Sequence, residues 1–236
     1  MQKSLFAAAA LFCLAPVALG QSPDGRGEVV LDVPVYRGVK ADVPIPPELH
    51  LRNEGGSDGA GLCVITSLLI NGRYQGIPAL ADGKASRFWK LAKSRPGGYY
   101  PEKLERYLDE LRETMPGVRW ISWEGKVTDL IESYTRRGVP VACTTNTGAL
   151  YGYQSIHHYI TVAHLDADLA CLIDNNDPGK YHWMPRAEFD RRFVDGLQGW
   201  LFIWIWDTPG GGSDPLWLAA LLVACSAALV TVGAKL

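Results

Sequence analysis

A cysteine stands where a glycine-rich stretch gives way to an apolar one. The stretch reads Gly55-Gly56-Ser57-Asp58-Gly59-Ala60-Gly61 and continues as Leu62-Cys63-Val64-Ile65-Thr66-Ser67-Leu68-Leu69-Ile70. The apolar part has helical character, which puts Cys63 at a helix start. Helix starts carry unpaired N–H groups and partial positive charge. A thiol placed there loses its proton more readily and becomes a better nucleophile near neutral pH. Glycines let backbone amides approach a reacting carbonyl, as the stabilisation of an oxyanion requires. Taken alone, the same pattern also describes a small buried cysteine opening a core helix.

A nucleophilic thiol needs a base, and the base needs a group to orient it. His157-His158 lies at the start of an apolar segment, 156–165. The turn Asp166-Ala167-Asp168 leads into a second segment, 169–173, which runs out into Asp174-Asn175-Asn176. The two segments are the strongest hairpin signal in the chain. Antiparallel neighbours can set a histidine from one strand beside a carboxylate or amide from the other. Singly, each group has a plain alternative: surface histidines, and a turn built from Asp, Asn and Pro. In this order, facing one helix-borne thiol, they form a nucleophile–base–orienter set.

The elements that must position this set can be read in outline. An extended stretch covers 29–36, and Pro44, Pro46 and Pro47 then forbid regular structure up to the glycine stretch. After the Cys63 helix, helical spacing runs over 82–93. It recurs over 101–113, where Pro101 opens an amphipathic helix with Leu104, Tyr107, Leu108 and Leu111 on one face. Further helices are expected over 127–137 and 185–194, and strands over 118–123, 139–145 and 199–206. Helices come first and a strand-rich half follows, an α+β order. Tyr99, Tyr100, Tyr151 and Tyr153 are candidates for lining a groove, or for core or surface.

The chain has 236 residues, 47% of them hydrophobic, and a net charge of −2. That balance, with no basic run, gives no sign of nucleic-acid binding. Residues 1–20 read as a secretory signal: Lys3 supplies the positive start, an apolar run follows, and Ala18-Leu19-Gly20 offers a cleavage site before Gln21. Residues 21–52 form an extended N-terminal segment and 53–207 the main domain. A Gly-rich linker at 208–214 precedes an uncharged apolar run at 215–234, which is long enough for a transmembrane helix. The expected localisation is therefore exported and membrane-anchored, with the domain extracytoplasmic and Lys235 on the cytoplasmic side. Cys13 and Cys225 fall in the apolar ends. Cys143 and Cys171 lie in strand-like runs, as core thiols or, in an oxidising compartment, as a disulfide. Either way Cys63 is the thiol left over.

The order of Cys63, then His158-Tyr159-Ile160-Thr161-Val162, then Leu172-Ile173-Asp174-Asn175-Asn176, resembles the papain-like cysteine peptidases and specifically the bacterial C39-like group. The resemblance covers roughly 53–206 and includes Trp183-Met184-Pro185-Arg186-Ala187-Glu188-Phe189 near the end. It implies a papain-like α+β fold with Cys63 on a central helix as nucleophile, His158 as base and Asn175 as orienter. Strand alternation puts Cys171, Ile173 and Asn175 on one face and Leu172 and Asp174 on the other. Papain's strand-end Asn favours Asn175, whereas the C39-like group's Asp would suit Asp174, the alternative third member. One departure stands out. The family's oxyanion-hole Gln, a few residues before the cysteine, is missing; Ser57 and Asp58 occupy its place. Ser57 can donate a hydrogen bond and is the candidate donor, while ionised Asp58 cannot.

The resemblance thus implies a cysteine peptidase acting on a peptide or protein substrate, tethered to a membrane through the C-terminal helix. No cofactor is expected. No metal is expected either, because His157, His158, His164 and His182 are irregularly spaced. The same triad could serve amidase or acyl-transfer chemistry, and the missing Gln fits a papain-like module that only binds.

Overall fold

In the computed structural model, residues 35–99, 101–125, 127–147, 156–194 and 202–207 are described. The signal-like start, the linker, the C-terminal apolar run, Tyr100, Tyr151 and Tyr153 lie outside them. Among the described residues no helix is long and apolar enough to cross a membrane.

A small hairpin opens the described chain, β1 (Val35–Tyr36) with β2 (Val39–Lys40). The proline-rich strap behind it buries Val43 and Ile45 completely. Then come α1 (Cys63–Tyr74), α2 (Arg87–Lys93), α3 (Pro101–Leu111), β3 (Trp120–Glu124), α4 (Thr128–Thr135), β4 (Val141–Asn146), β5 (His157–Leu165), β6 (Leu169–Ile173), β7 (His182–Pro185), α5 (Arg186–Val194) and β8 (Phe202–Trp206). Strands β3 to β8 form one sheet in the order β3-β8-β4-β5-β6-β7, every pair antiparallel. The mixture of helices with an antiparallel sheet is the α+β class expected.

The sheet is covered on both faces, which explains why its middle strands are buried on both sides rather than alternately. In β8, Phe202, Trp204 and Trp206 pack with α1, α2 and α3, while Ile203 and Ile205 pack with α4 and α5. Inserting this last strand between β3 and β4 leaves Phe-Ile-Trp-Ile-Trp wholly buried. Helix α3 turns Leu104, Tyr107, Leu108 and Leu111 inward, as its spacing predicts. The helix expected over 82–93 is divided: a 3-10 turn at Gly83–Ala85 precedes Ser86, whose hydroxyl accepts the Trp89 N–H and caps α2. The capping bond competes with a continuous helix at that serine. Similarly, Pro185 ends a strand, β7, and the following helix begins only at Arg186.

Helix α1 lies against the sheet and is buried nearly all round, from Val64 to Gly72. Its polar residues are spent on the sheet. The Ser67 hydroxyl donates to the Tyr159 carbonyl at 3.0 Å, Asn71 bonds Thr161 at 2.7 Å, and the Trp206 indole N–H donates to the Leu68 carbonyl at 2.9 Å. Buried polar groups are costly unless paired, so these bonds fix the helix in one rotation and at one height on β5.

Strand β5 carries a β-bulge. Next to the turn, Leu165 faces Ala170 and His164 faces Cys171; beyond it, Val162 faces Leu172 and Thr161 faces Ile173. One residue, Ala163, is extra. Its carbonyl accepts the Val43 N–H of the strap at 2.9 Å, and Asp42 of the strap lies 2.7 Å from His164 Nδ1. The group the ladder leaves unpaired at a bulge is thus satisfied from outside the sheet.

Cys143 and Cys171 are free and buried. They sit on β4 and β6 with β5 between, about 10 Å apart across the sheet and, facing β5 at Ile160 and His164, a further ~13 Å along it, beyond the reach of a disulfide. They also belong to cores on opposite sheet faces. Of the two readings open for them, core thiols is the one the structure has.

Candidate active site

Helix α1 begins at Cys63 without a side-chain cap: Leu62 precedes it and contributes only backbone. Its first-turn N–H groups are therefore left for other partners. Cys63 is half-buried at the mouth of the helix–sheet junction. The His158 ring acts on the Cys63 thiol through hydrogen bonding and charge, and the backbone N–H groups of Tyr159 and Val64 act in the same direction. Burial pushes the thiol up, but the hydrogen bond and charge of His158, with those two N–H groups, more than offset it. The thiol lies below its ordinary value.

His158 is buried, near the start of β5, with Nε2 2.9 Å from Asp174 Oδ1. With Nε2 so engaged, Nδ1 is the nitrogen left for Sγ. Burial pushes the imidazolium down, but the Asp174 hydrogen bond and the Cys63 thiol outweigh it and hold the ring up at about 9. Asp174 Oδ1 also accepts the Asn176 N–H at 2.8 Å, which keeps the carboxylate from swinging away. A lowered thiol beside a raised imidazole favours a thiolate–imidazolium pair near neutral pH, and the two titrate as a unit.

The ring's partner is Asp174, not Asn175. Asn175 is fully buried on the other face of β6, where its amide donates to the Cys63 carbonyl at 3.1 Å, Ser67 Oγ at 2.9 Å and the Tyr159 carbonyl at 2.9 Å. It bolts the first turn of α1 to β5 and does not orient the histidine. The bulge is the reason. Continued from the turn without it, the ladder would put His158 on the Asn175 face; the extra residue moves His158 to the face of Leu172 and Asp174.

The glycine stretch closes on itself. Gly55 and Gly61 form an antiparallel bridge, the Leu62 N–H donates to the Glu54 carbonyl at 2.8 Å, and the Gly59 N–H turns back to the Gly56 carbonyl at 3.1 Å. Gly59, at φ +80°, takes the left-handed conformation that this turn needs. Ser57 and Asp58 are consequently exposed at the tip. Asp58 accepts the Ala60 and Gly97 N–H groups at 3.1 and 2.8 Å, which hold its carboxyl below the usual range. It staples the loop to the next turn. Ser57 binds the Arg95 carbonyl through its backbone N–H at 3.4 Å; the structure gives its hydroxyl no bond to the cysteine.

The other sequence candidates disperse. His164 sits at the far end of β5 with Asp42 and with Asp166, 3.1 Å from Nε2, and His182 lies 3.5 Å from Asp177. Among the described residues no three His, Cys, Asp or Glu side chains group as metal ligands. Tyr99 is a core residue, 2% exposed.

No protein-family model matches the chain, and no curated protein matches its sequence. Among solved structures it is similar to a crystal structure from Bacillus anthracis described as a "putative C39-like peptidase". The identity is 16%, over 75% of this chain and 95% of that one, with a TM-score of 0.43.

Proposed function

We propose that this chain is a papain-like cysteine hydrolase that cleaves peptide bonds, with Cys63 as nucleophile, His158 as acid and base, and Asp174 as orienter. The observation that supports it is the pairing of a helix-start thiol with a histidine whose other nitrogen is held by a buried carboxylate. The Cys63 thiolate attacks the carbonyl carbon, forming a C–S bond as the C=O π pair moves onto oxygen. Collapse re-forms C=O and breaks C–N, and the imidazolium gives its proton to the leaving amine. Water then attacks the thioester and passes a proton to His158. The C–S bond breaks, returning thiolate and imidazolium. Asp174 keeps the ring in the tautomer and orientation both steps use. Export and tethering through the C-terminal apolar run complete the proposal, and a protein truncated after Gly212 is expected in the soluble fraction after a carbonate wash.

The test is cleavage of a peptide library by the wild type and by Cys63→Ser. Cleavage that the serine variant loses supports a peptidase. Fast alkylation of Cys63 by iodoacetamide without cleavage of any peptide would point to amidase or acyl-transfer chemistry. An inert Cys63 leaves only a binding module.

A further inference from the structure

A tetrahedral intermediate needs two or more donors aimed at its oxyanion. The start of α1 supplies one, the Cys63 N–H, but Ser57 and Asp58 are carried to the tip of a closed hairpin. That closure brings another residue into place. The Gly55–Gly61 bridge and the Leu62 N–H bond to the Glu54 carbonyl fold Asn53, ten positions before Cys63 in sequence, back towards the start of α1. The Asn53 side-chain amide lies against Gly61, two residues before the nucleophile; a Cβ at Gly61 would meet Asn53 Nδ2 at 3.3 Å. A side chain there would push the amide by a few tenths of an ångström.

We propose that the side-chain amide of Asn53 is the second oxyanion donor of this site, acting with the Cys63 backbone N–H. The proposal rests on the hydrolase reading above. Asn53 is held by two bonds. The Asn53 backbone N–H donates to the Asn175 carbonyl at 2.7 Å, and Nδ2 donates to Asn176 Oδ1 at 3.1 Å. The Asn176 N–H in turn binds the Asp174 oxygen that holds His158. Nδ2 has two hydrogens, and Asn176 takes one. Oδ1 is buried with no partner among the described residues. As Sγ bonds to the substrate carbon and the π pair moves to oxygen, the Cys63 N–H and the second Nδ2 hydrogen converge on that charge. Both relax when the C–N bond breaks.

The experiment compares two reactions of the same thiol. Acylation by p-nitrophenyl acetate passes through an oxyanion; alkylation by iodoacetamide does not. Asn53→Ala and the near-isosteric Asn53→Leu are expected to slow acylation roughly 10²- to 10³-fold. Their iodoacetamide rate and its pH profile should stay with the wild type, which also shows that the fold and the Cys63–His158 pair survive. Equal acylation by wild type and both variants would overturn the proposal, as would a collapse confined to Ser57→Ala. Parallel loss of acylation and alkylation in both variants would make Asn53 a structural residue and likewise reject it. If the wild type itself neither acylates nor alkylates at Cys63, it is the hydrolase reading that fails.

Discussion

Replacing Asp174 by asparagine removes a charge from His158 while preserving shape. The new side-chain oxygen can still accept the ring N–H and the Asn176 N–H, which reach Asp174 Oδ1 at 2.9 and 2.8 Å. What is lost is electrostatic. His158 is raised from 6.5 to about 9 against the opposing effect of burial, a net preference for imidazolium of about 3 kcal/mol. The Asp174 hydrogen bond is the largest favourable contribution, followed by Cys63. Without the carboxylate the ring should fall towards its ordinary value. The imidazolium fraction then drops mainly on the alkaline side and least at acid pH. The kcat/KM for a cleaved peptide, measured from pH 5 to 10, should therefore lose its alkaline limb early and keep its acid limb. Stability gives a second readout. The folded value lies above the unfolded one, so the contribution is complete below about pH 6.5 and is lost as the pH rises through about 9. The gap in Tm between wild type and Asp174→Asn should narrow across that window. An Asp174→Asn profile superimposable on the wild type, with an alkaline limb that moves in Asn175→Ala instead, would refute the assignment of Asp174.

Other outcomes follow from the same geometry. Asn175→Ala removes the amide that donates to the Cys63 and Tyr159 carbonyls and to Ser67 Oγ; a loss of about 3 kcal/mol and roughly 5–10 °C in Tm is expected by calorimetry, and an unchanged Tm would contradict the bolt. His158→Ala should move the iodoacetamide profile of Cys63 to higher pH, because the imidazolium that lowers the thiol is gone; His157→Ala should not, and equal shifts in the two variants would break the pairing. Burial raises Cys143 and Cys171 well above an ordinary thiol, so mass spectrometry at pH 7 should find only Cys63 alkylated in the folded domain and all three after denaturation. A Cys143–Cys171 disulfide in non-reduced protein would contradict the strand order.

Much of the fold could be read because its signals are local. The amphipathic spacing of Leu104, Tyr107, Leu108 and Leu111 and the segment 169–173 translate directly into α3 and β6. Cys63 at a helix start was legible for the same reason, as glycines meet an apolar run there. The partner of His158 was not. Alternation along β6 correctly separates Asn175 from Asp174, but which of them meets His158 depends on the cross-strand phase, and no local pattern announces the bulge at Ala163. Asn53 has no local signal, because only the Gly55–Gly61 bridge brings it back towards the start of α1. The strand β7 was hidden by its shortness and by the proline that ends it.

The bulge also bears on how relatives of this chain should be compared with it. Whether a carboxylate or an amide meets the histidine is decided here by phase and not by composition, since both residues are present side by side. Gain or loss of one residue in β5 exchanges them without any substitution at 174 or 175. An alignment that runs through the hairpin without a gap will therefore match the wrong columns, and a matched acid in a relative would say nothing about its role until the bulge is located. The strap contributes to this phase through the Val43 N–H on the Ala163 carbonyl. A boundary drawn at residue 53 cuts away the part that holds the count.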